Sequence, residues 1–405
     1  VPTHLAFDAV IIDDAGRMPV AHAVSALARG VRVIAAGDLQ GLGPRHFETV
    51  ALPDDVDDED EGPAAPVSVL EALAAYLPLR HLTQVYGDRD ARLAAFAVGA
   101  REEAVQAWPC PGREAALRLV RTGAVISSVD QIGEAETREN SRVVELAVEH
   151  LRRHPQSSLA VLAITPAQAA ELDRLIRHAL ARDAQAASAP VLAEGARERL
   201  LVTTVDRAAG TSRDTVVFAT GLVPLPGMRV RLPERLQRPD GDRLVDTVAA
   251  IARHRLDIVC AVTARDMAHL IASCPGQSRM AELLEHAERD GHVGATGDDG
   301  RHALLGELAT RLRSEGLVVH QGCGVGASRI DLAIEEPYTP GRLAVAVLTD
   351  GLRYAQASTV REAVRLWPHQ LTRLGWRCVS VWSTDVFRDP ARDVARIVEA
   401  ARGER

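Results

Sequence analysis

The adjacent carboxylates Asp13 and Asp14 follow directly after an apolar run, residues 5–12, that is typical of a buried strand. At the end of a strand, one carboxylate can hold Mg²⁺ while a second polarises a water molecule that attacks a phosphate. Taken alone, the pair is better explained as two solvated side chains. The motifs along the rest of the chain are therefore needed to choose between these interpretations.

Composition limits the chemistry of the chain. Its 405 residues suit two or three domains, and all 47 basic residues are Arg because the sequence contains no Lys. The Lys with which a P-loop reaches the phosphates of a nucleotide is therefore absent from these residues. Because the net charge is −8, any binding of nucleic acid has to come from a local Arg-rich surface.

The sequence predicts neither a membrane span nor a signal peptide. Charges interrupt every apolar run, and the N-terminus has neither a basic start nor a long apolar stretch. The five Cys are scattered without metal-ligand spacing, as expected of a reduced protein. We therefore expect a cytoplasmic protein without membrane contacts, and the missing initiator Met indicates a fragment or a processed chain.

Hydrophobic patterning predicts the elements that position the carboxylates. Strands at 5–12 and 31–36, separated by a helix at 20–29, indicate a parallel α/β sheet. A helix is also predicted at 68–77. A second α/β unit is predicted to contain strands at 123–129, 158–164, 200–205, 214–220 and 257–262, with helices at 140–153, 166–182 and 245–254. Residues 221–243, in which Pro, Gly and Arg recur, are predicted to form an irregular surface excursion.

A last α/β module of ordinary domain size is predicted after residue 301. Its elements are a helix at 302–315, strands at 317–320, 328–334 and 343–349, a helix at 358–373, a strand at 376–382 and a helix at 390–402. Trp376 and Trp382 lie six residues apart on one predicted strand, so both should face the same side. Core packing is the expectation for both, with stacking on nucleic acid as the alternative.

Several segments resemble, in order, the motifs of superfamily 1 helicases of the nonsense-mediated-decay type. They are VIIDDAG at 10–16, GDLQGLGP at 37–44, LTQVYGDRD at 82–90, SLAVLAITPAQ at 158–168, VTTVDRAAGTSRD at 202–214 and LDIVCAVTAR at 256–265. The resemblance covers roughly residues 5–275. It implies two RecA-like domains, with ATP and Mg²⁺ as cofactors if the motor is active.

The same resemblance assigns roles to individual residues. It implies that Asp13 and Asp14 are catalytic, Asp13 also being a metal ligand. The implied nucleotide-binding residues are Asp38, Gln40, Arg89, Gly210 and Arg265. The implied nucleic-acid contacts are Thr165 and Thr204.

The chain departs from the helicase pattern at its polar positions. Asp14 stands where the family has Glu, and Gly87 and Ala209 replace an Arg and a Gln. Ala264 replaces the Arg that would contact the γ-phosphate, and the neighbouring Arg265 points about 100° away on a helix. Apolar strands and Gly turns are retained while polar groups are lost, which indicates a fold kept without its chemistry.

Residues 302–402 resemble the very-short-patch-repair-like endonuclease domain found at the C-terminus of large bacterial helicases. The matching segments are VHQGCGVG at 319–326, SRIDLAI at 328–334, VLTDG at 347–351 and LGWRCVSVWSTD at 374–385. The resemblance implies that Asp331 and Asp350 are catalytic and hold Mg²⁺, which activates water against a phosphodiester. Leu348 stands where the family has Glu and cannot bind a metal. We favour the alternative in which both Asp residues are solvated or capping groups at strand ends.

Arg361 and Arg365 lie on one predicted helix of this module. Their spacing could form a stripe that contacts phosphates, and we expect them to bind nucleic acid. A solvated helix face explains the same spacing equally well.

The predicted fold class is therefore α/β, with RecA-like parallel-sheet domains of the P-loop NTPase type and a C-terminal restriction-endonuclease-like domain. We expect the last part of a first RecA-like domain at 1–100, a second at 101–290 and the endonuclease-like domain at 295–405. The favoured function is a helicase-like protein that binds DNA or RNA, DNA being preferred, with degenerate ATPase and nuclease sites. Two alternatives stay open: the C-terminal part of an active ATP-dependent helicase whose P-loop lies upstream, and a non-enzymatic scaffold for protein partners.

Overall fold

The protein is a mixed α/β structure with one five-stranded parallel sheet and one four-stranded mixed sheet. The computed structural model describes residues 5–44, 67–82, 84–85, 90–98, 106–111, 116–123, 131–227, 229–268, 274–289, 303–324, 329–339, 342–351, 354–355, 357 and 359–403. Within these residues, no helix combines the length and the apolar character that crossing a bilayer requires.

The N-terminal unit is a small parallel pair of strands with two helices. Its elements are β1 (Phe7–Ile12), α1 (Val20–Leu27), β2 (Gly30–Ala35) and α2 (Val69–Ala74). The register of the strands runs from Phe7 opposite Gly30 to Ile12 opposite Ala35. One small core holds the unit together around Ile12, Ala15, Ala23, Val69 and Leu70. Other apolar side chains of the strands stay in contact with solvent, among them Ile11 at 70 % and Val31 at 81 %.

Three short elements connect this unit to the larger sheet. They are β3 (Gln84–Val85), α3 (Ala91–Val98) and β4 (Gln106–Ala107). The strands β3 and β4 pair in parallel. Helix α3 packs against the strand at Ala252–Cys260 and the helix at Gly241–Ile251. Arg279, on the helix at Pro275–Glu288, donates a hydrogen bond of 2.6 Å to the carbonyl of Phe96.

The five-stranded sheet has the order β5-β11-β8-β6-β7, and all its pairings are parallel. Its strands are β5 (Leu117–Arg121), β6 (Leu159–Ala163), β7 (Leu201–Thr204), β8 (Arg213–Ala219) and β11 (Ala252–Cys260). The helices around it are α4 (Ile132–Arg153), α5 (Pro166–Leu180), α6 (Ala184–Ala187), α7 (Val205–Ala208), α8 (Glu234–Gln237), α9 (Gly241–Ile251), α10 (Ala264–Ala268) and α11 (Pro275–Glu288). Apolar clusters lie on both faces, which explains why β6 reads as an unbroken apolar run.

The strand predicted at 123–129 lies outside the described residues except for residue 123. The structure has a strand just before it, at Leu117–Arg121, where Leu117 and Val120 pack into the cores. A second prediction for this region is wrong. Residues 221–243 are not simply irregular. They contain an antiparallel hairpin of β9 (Val223–Leu225) and β10 (Arg229–Arg231), followed by α8.

The four-stranded sheet belongs to the C-terminal domain and has the order β12-β13-β14-β15. The first two pairings are antiparallel and the last, between β14 and β15, is parallel. The elements are α12 (Ala303–Ser314), β12 (Val319–Cys323), β13 (Ile330–Glu335), β14 (Leu343–Thr349), a π-helical turn (Glu362–Leu366), α13 (Trp367–Arg373), β15 (Arg377–Val381), α14 (Ser383–Arg388) and α15 (Pro390–Arg402). Helices α12 and α15 cover one face of the sheet.

Trp376 and Trp382 do not share an environment, contrary to the sequence prediction. Trp376 lies just before β15 and is only 2 % exposed. Trp382 lies beyond the end of β15, where it is the N-cap residue of α14, and is 41 % exposed. The strict alternation of side chains along a strand therefore does not extend to these positions.

Candidate functional site

A cleft of about 1030 Å³ lies between the N-terminal unit and the carboxyl ends of strands in the five-stranded sheet. Four residues predicted from the helicase-like motifs line it together: Asp13, Asp14, Thr165 and Thr204. They follow β1, β6 and β7, so the ends of three strands from two separate sheets supply them. Ligands of parallel α/β proteins commonly bind at this edge of a sheet.

A tight turn after β1 positions the two carboxylates. Asp14 has a φ of 51°, in the left-handed region that non-glycine residues seldom adopt, although Asp tolerates it better than most. The carboxylate of Asp13 stabilises the turn by accepting a hydrogen bond of 2.9 Å from the amide of Asp14. Both side chains are exposed toward the cleft.

Gly210, a predicted nucleotide-binding residue, lies next to this turn. It has a φ of 84°, and a Cβ placed on it would lie 3.9 Å from Oδ2 of Asp14 and 3.2 Å from the guanidinium of Arg17. The structure therefore brings the segment after α7 against the segment after β1. The absent side chain leaves room for this close approach.

Arg17 connects the same two segments by hydrogen bonds. Its guanidinium donates to the carbonyl oxygen of Ala209 and, over 3.3 Å, to that of Asp206. This arginine was not among the residues predicted from the sequence. Its role could not be recognised from the sequence, because its hydrogen-bond partners are main-chain atoms 189 and 192 residues away.

Thr165 and Thr204 both begin helices at the cleft. Thr165 is the N-cap of α5, and its hydroxyl accepts a hydrogen bond of 3.3 Å from the amide of Gln168. Thr204 is the N-cap of α7 and is 6 % exposed. The N-terminus of α5, a helix of 15 residues, therefore opens toward the cleft, where the helix dipole favours an anion.

The charged side chains of the cleft are mixed in sign. Arginines and acidic residues both line it, namely Arg17, Arg207, Arg235 and Arg238 with Asp13, Asp14, Asp206, Glu234 and Asp240. Arg235 is held in ion pairs with Asp206 at 2.9 Å and with Asp240 at 2.7 Å. Arg207 is exposed and Arg238 reaches Glu234 only at 4.0 Å, so these two are the cations best placed to bind a phosphate.

Glu139 lies behind the cleft and is 3 % exposed. Its Oε1 accepts hydrogen bonds from the amide and hydroxyl of Thr220 and from the amide of Gly221, while Gln168 donates to Oε2 at 3.3 Å. Burial raises the pKa of this carboxyl to about 7, against the hydrogen bonds, which lower it. Glu139 thereby connects α4 to the end of β8 and the start of α5. The sequence did not single it out, because one Glu on a charged helix carries no signal.

Other predicted nucleotide-binding residues are not gathered at the cleft. Asp38 packs its main chain against the turn at Gly16, and its side chain accepts a hydrogen bond of 2.9 Å from the amide of Gln40. Both Asp38 and Gln40 are exposed and are not among the described residues that line the cleft. Arg265 is exposed on α10 and is likewise not among them. Arg89 lies outside the described residues.

The two carboxylates of the C-terminal domain are engaged by neighbouring groups. Oδ2 of Asp331 accepts hydrogen bonds from the amide and hydroxyl of Thr349, at 2.7 and 2.9 Å. The carboxylate of Asp350 accepts from the amide and hydroxyl of Ser383, at 2.9 and 2.7 Å. Each Asp therefore ties one strand end to the next element.

The surroundings of Asp331 and Asp350 favour the capping interpretation over a magnesium site. Leu348 precedes the Thr349 that binds Asp331, and it packs against an apolar cluster. Across the part of the chain that the structure describes, no group of three or more His, Cys, Asp or Glu could hold a metal. Because Mg²⁺ requires near-octahedral oxygen ligands, the arrangement matches the capping role better than a metal centre.

Arg361 directly precedes the π-helical turn, Arg365 lies within it, and both are exposed. They lie far along the chain from the cleft residues and line neither the cleft nor the contact between Asp350 and Ser383. Their positions are compatible with a phosphate-contacting stripe and with a solvated face alike.

Comparison with known proteins identifies the C-terminal part. Residues 306–401 match the family model REase_MTES_1575, which describes a restriction-endonuclease-like domain. No curated protein matches the chain. The match covers α12 to α15 and the whole four-stranded sheet. The C-terminal part is thus similar to a restriction-endonuclease-like domain, which is consistent with a function related to nucleic acid.

Proposed function

We propose that this chain is a helicase-like protein that binds nucleic acid, with DNA favoured over RNA as the proposed ligand, at the cleft between the N-terminal unit and the five-stranded sheet. In this proposal the N-terminal unit and the part built on the five-stranded sheet are RecA-like, with a boundary near residue 100. The ATPase and nuclease sites are degenerate, and the C-terminal restriction-endonuclease-like domain acts without cleaving.

The assembly of the cleft is the main support. Asp13, Asp14, Thr165 and Thr204 come from motif-like segments almost 200 residues apart, and they line one cavity of about 1030 Å³. Gly210 adjoins Asp14 from a further segment. Segments that only happened to resemble helicase motifs would have no reason to meet at one edge of two sheets.

The charge distribution favours a phosphate ligand. The N-terminus of α5 and the side chains of Arg207 and Arg238 face the cleft from the side of the large sheet. Phosphate contacts of this kind supply most of the affinity of sequence-independent nucleic-acid binding. Asp13 and Asp14 face the same space and repel phosphates unless a cation lies between them.

Asp13 and Asp14 fit Mg²⁺ only together with the phosphates of a nucleotide, since two carboxylates and substrate oxygens are a usual ligand set for this ion. When bound, the ion would neutralise phosphate charge. The residues of this chain would contribute the exposed Asp13–Asp14 pair and its tight turn. The exposed position of the pair is the observation that favours the second candidate function, an ATP-dependent motor completed by a P-loop from another segment.

Fluorescence anisotropy with labelled single-stranded and duplex oligonucleotides, titrated over a range of salt, tests the proposal. We expect the affinity to fall steeply with salt, and the variant Arg207→Ala/Arg238→Ala to lower the slope of log K against log salt by about 1.5. Arg182→Ala, which removes an exposed arginine at the end of α5 away from the cleft, is the matched control and should leave the slope unchanged. Absent or salt-independent binding would refute the proposal.

ATP hydrolysis by the longest native polypeptide, measured with and without single-stranded DNA, separates the two candidates, because an upstream P-loop would be present in that polypeptide. If the ATPase site is degenerate, as proposed, single-stranded DNA should not stimulate ATP turnover by the wild-type protein. Stimulated turnover that Asp13→Ala abolishes, while the matched Asp8→Ala on β1 retains it, would establish the motor instead. Asp8 is exposed and lies outside the residues that line the cleft.

A further inference from the structure

Residues 108–111, Trp-Pro-Cys-Pro, lie on the four-stranded sheet of the C-terminal domain although they precede it by some 200 residues. We call them the clasp segment. Trp108 is 4 % exposed and Pro109 is also buried. Trp108 belongs to one apolar cluster with Ile330, Ala333, Ala346, Leu371 and Trp376 of that domain. The contact is therefore a packed core between distant parts of the chain.

Specific contacts fix the position of the clasp segment. The indole Nε1 of Trp376 donates a buried hydrogen bond of 2.7 Å to the carbonyl of Pro109. The rings of Trp108 and Trp367 meet edge to face with centroids 6.3 Å apart, an arrangement that aromatic pairs prefer. The buried carbonyl of Pro109 is thus bonded by a tryptophan donor, and the ring of Trp108 packs against a second ring. Both contacts indicate a specific fit.

Glycines of the C-terminal domain make room for the two prolines. A Cβ on Gly324 would lie 3.2 Å from Cγ of Pro109, and a Cβ on Gly375 would lie 3.4 Å from Cγ of Pro111. Both glycines have a positive φ, 116° and 98°, which other residues rarely adopt. The surface that receives the clasp segment is thus shaped by the backbone as well as by side chains.

Leu348 packs against this same cluster. It occupies the position at which the resembling endonucleases carry a metal-binding Glu. An apolar side chain there matches a surface that buries Trp108, whereas an unpaired carboxylate would be costly beside a buried indole. A leucine instead of a glutamate at position 348 is therefore consistent with the binding of the clasp segment at this surface.

Both ends of the clasp segment are attached to the five-stranded sheet. On the N-terminal side, the amide of Asp90 donates a hydrogen bond of 2.7 Å to the carbonyl of Arg253, and α3 then packs against α9. On the C-terminal side, β5 pairs with β11 as an edge strand. The clasp segment therefore lies, along the chain, between two parts that pack on the sheet forming one wall of the cleft.

We propose that the restriction-endonuclease-like domain serves as an internal docking module, which binds the apolar clasp segment of its own chain in place of a metal and a phosphodiester. Docking fixes this domain on the five-stranded sheet. The surface around Leu348 is reserved for the Trp-Pro-Cys-Pro segment and is closed to nucleic acid as long as the segment is bound.

Hydrogen exchange of the full chain, followed by mass spectrometry without nucleic acid, tests this proposal independently of the proposed function. Trp108→Ala should raise exchange in β13, β14 and α13 by at least about tenfold, because the apolar cover of that face is lost. Trp376→Phe keeps a ring in the core but removes the donor to Pro109, and it should raise exchange in residues 106–111 and in β14. Trp382→Phe, at an exposed tryptophan of the same domain, is the matched control and should leave these peptides unchanged.

Small-angle X-ray scattering of the same variants provides the second readout. The radius of gyration should increase in Trp108→Ala, as expected for a domain released from its docking site, and stay unchanged in Trp382→Phe. If Trp108→Ala does not fold, Trp376→Phe still decides the question. Folded variants with wild-type exchange in β13 and β14 and with wild-type dimensions would overturn the proposal, as would equal effects of the control.

Discussion

Oδ2 of Asp331 is held by Thr349 through two hydrogen bonds, one from the amide at 2.7 Å and one from the hydroxyl at 2.9 Å. We therefore expect Asp331→Ala to act on stability, because it leaves the Thr349 amide without this acceptor. The free energy of unfolding should fall by about 1–3 kcal/mol, measured by urea denaturation.

The matched control for Asp331 is Glu399→Ala, which removes an exposed carboxylate on α15. It should change the free energy of unfolding by no more than about 0.5 kcal/mol. Adding Mg²⁺ should shift the Tm of wild type and both variants equally. A Mg²⁺-dependent rise of Tm in wild type that Asp331→Ala abolishes would show that the residue holds a metal after all.

Glu139 makes stability depend on pH. Burial raises the pKa of its carboxyl from 4.5 to about 7 in the folded protein. Between these values the folded state holds a proton that the unfolded state has released, so the stability contributed by Glu139 falls as pH rises from 4.5 to 7. Because one pH unit corresponds to about 1.4 kcal/mol, the loss is on the order of 3 kcal/mol.

The variant Glu139→Gln checks this prediction. A neutral amide oxygen can still accept from Thr220 and Gly221, so the fold should be retained. The difference in free energy of unfolding between the variant and wild type, measured by urea denaturation from pH 4 to 8, should move in favour of the variant with rising pH. A difference that is flat across this range would contradict the prediction.

Gly276 allows α11 to approach α8 and α9 closely. A Cβ at this position would lie 2.2 Å from the carbonyl oxygen of Leu236 and 3.0 Å from the backbone of Gly241. Gly276→Ala should therefore force the helices apart and lower the free energy of unfolding by about 1–3 kcal/mol or more. Gly306 in α12 provides the control, because a Cβ at this position would have no neighbouring atom within 4 Å. Gly306→Ala should raise the free energy of unfolding by up to about 1 kcal/mol. A neutral Gly276→Ala, measured by chemical denaturation, would argue against this packing.

Arg17 should control how firmly the N-terminal unit is held at the cleft. Arg17→Ala removes the hydrogen bonds to the carbonyls of Ala209 and Asp206, so exchange of amides in residues 205–211 should increase. If the cleft is the binding site, the affinity for single-stranded DNA should fall by about tenfold, since the charged guanidinium of Arg17 and the hydrogen bonds that it donates are lost. Arg32→Ala, at an exposed arginine of β2, should leave both measurements unchanged.

Local patterns predicted the elements well. The strand predicted at 343–349 and the helix predicted at 390–402 correspond to β14 and α15, because both patterns depend on neighbours in the sequence. The parallel character of the large sheet was also predicted correctly, since unbroken apolar strands are separated by helices. The hairpin of β9 and β10 was missed because its three-residue strands are too short to show alternation.

The sites were less predictable, for a physical reason. Asp13, Asp14, Thr165 and Thr204 could be selected because motif segments follow strands, and the structure brings them into one cleft. Arg17 and Glu139 were missed because their hydrogen-bond partners are distant in the sequence. The docking of Trp108 on Trp376 was missed as well, since two apolar surfaces in separate domains give no pattern along the chain.

The hydrogen bond from Trp376 to Pro109 spans 267 residues, which has a consequence for synthesis of the chain. Residues 106–111 leave the ribosome long before the strands that bury them, whereas β5 needs only the chain up to β11 to enter its sheet. Trp108 must therefore remain uncovered while the large sheet forms, and the last domain to emerge is the one that shields it. A chain interrupted before residue 376 would carry an uncovered apolar segment, which marks it for aggregation or proteolysis.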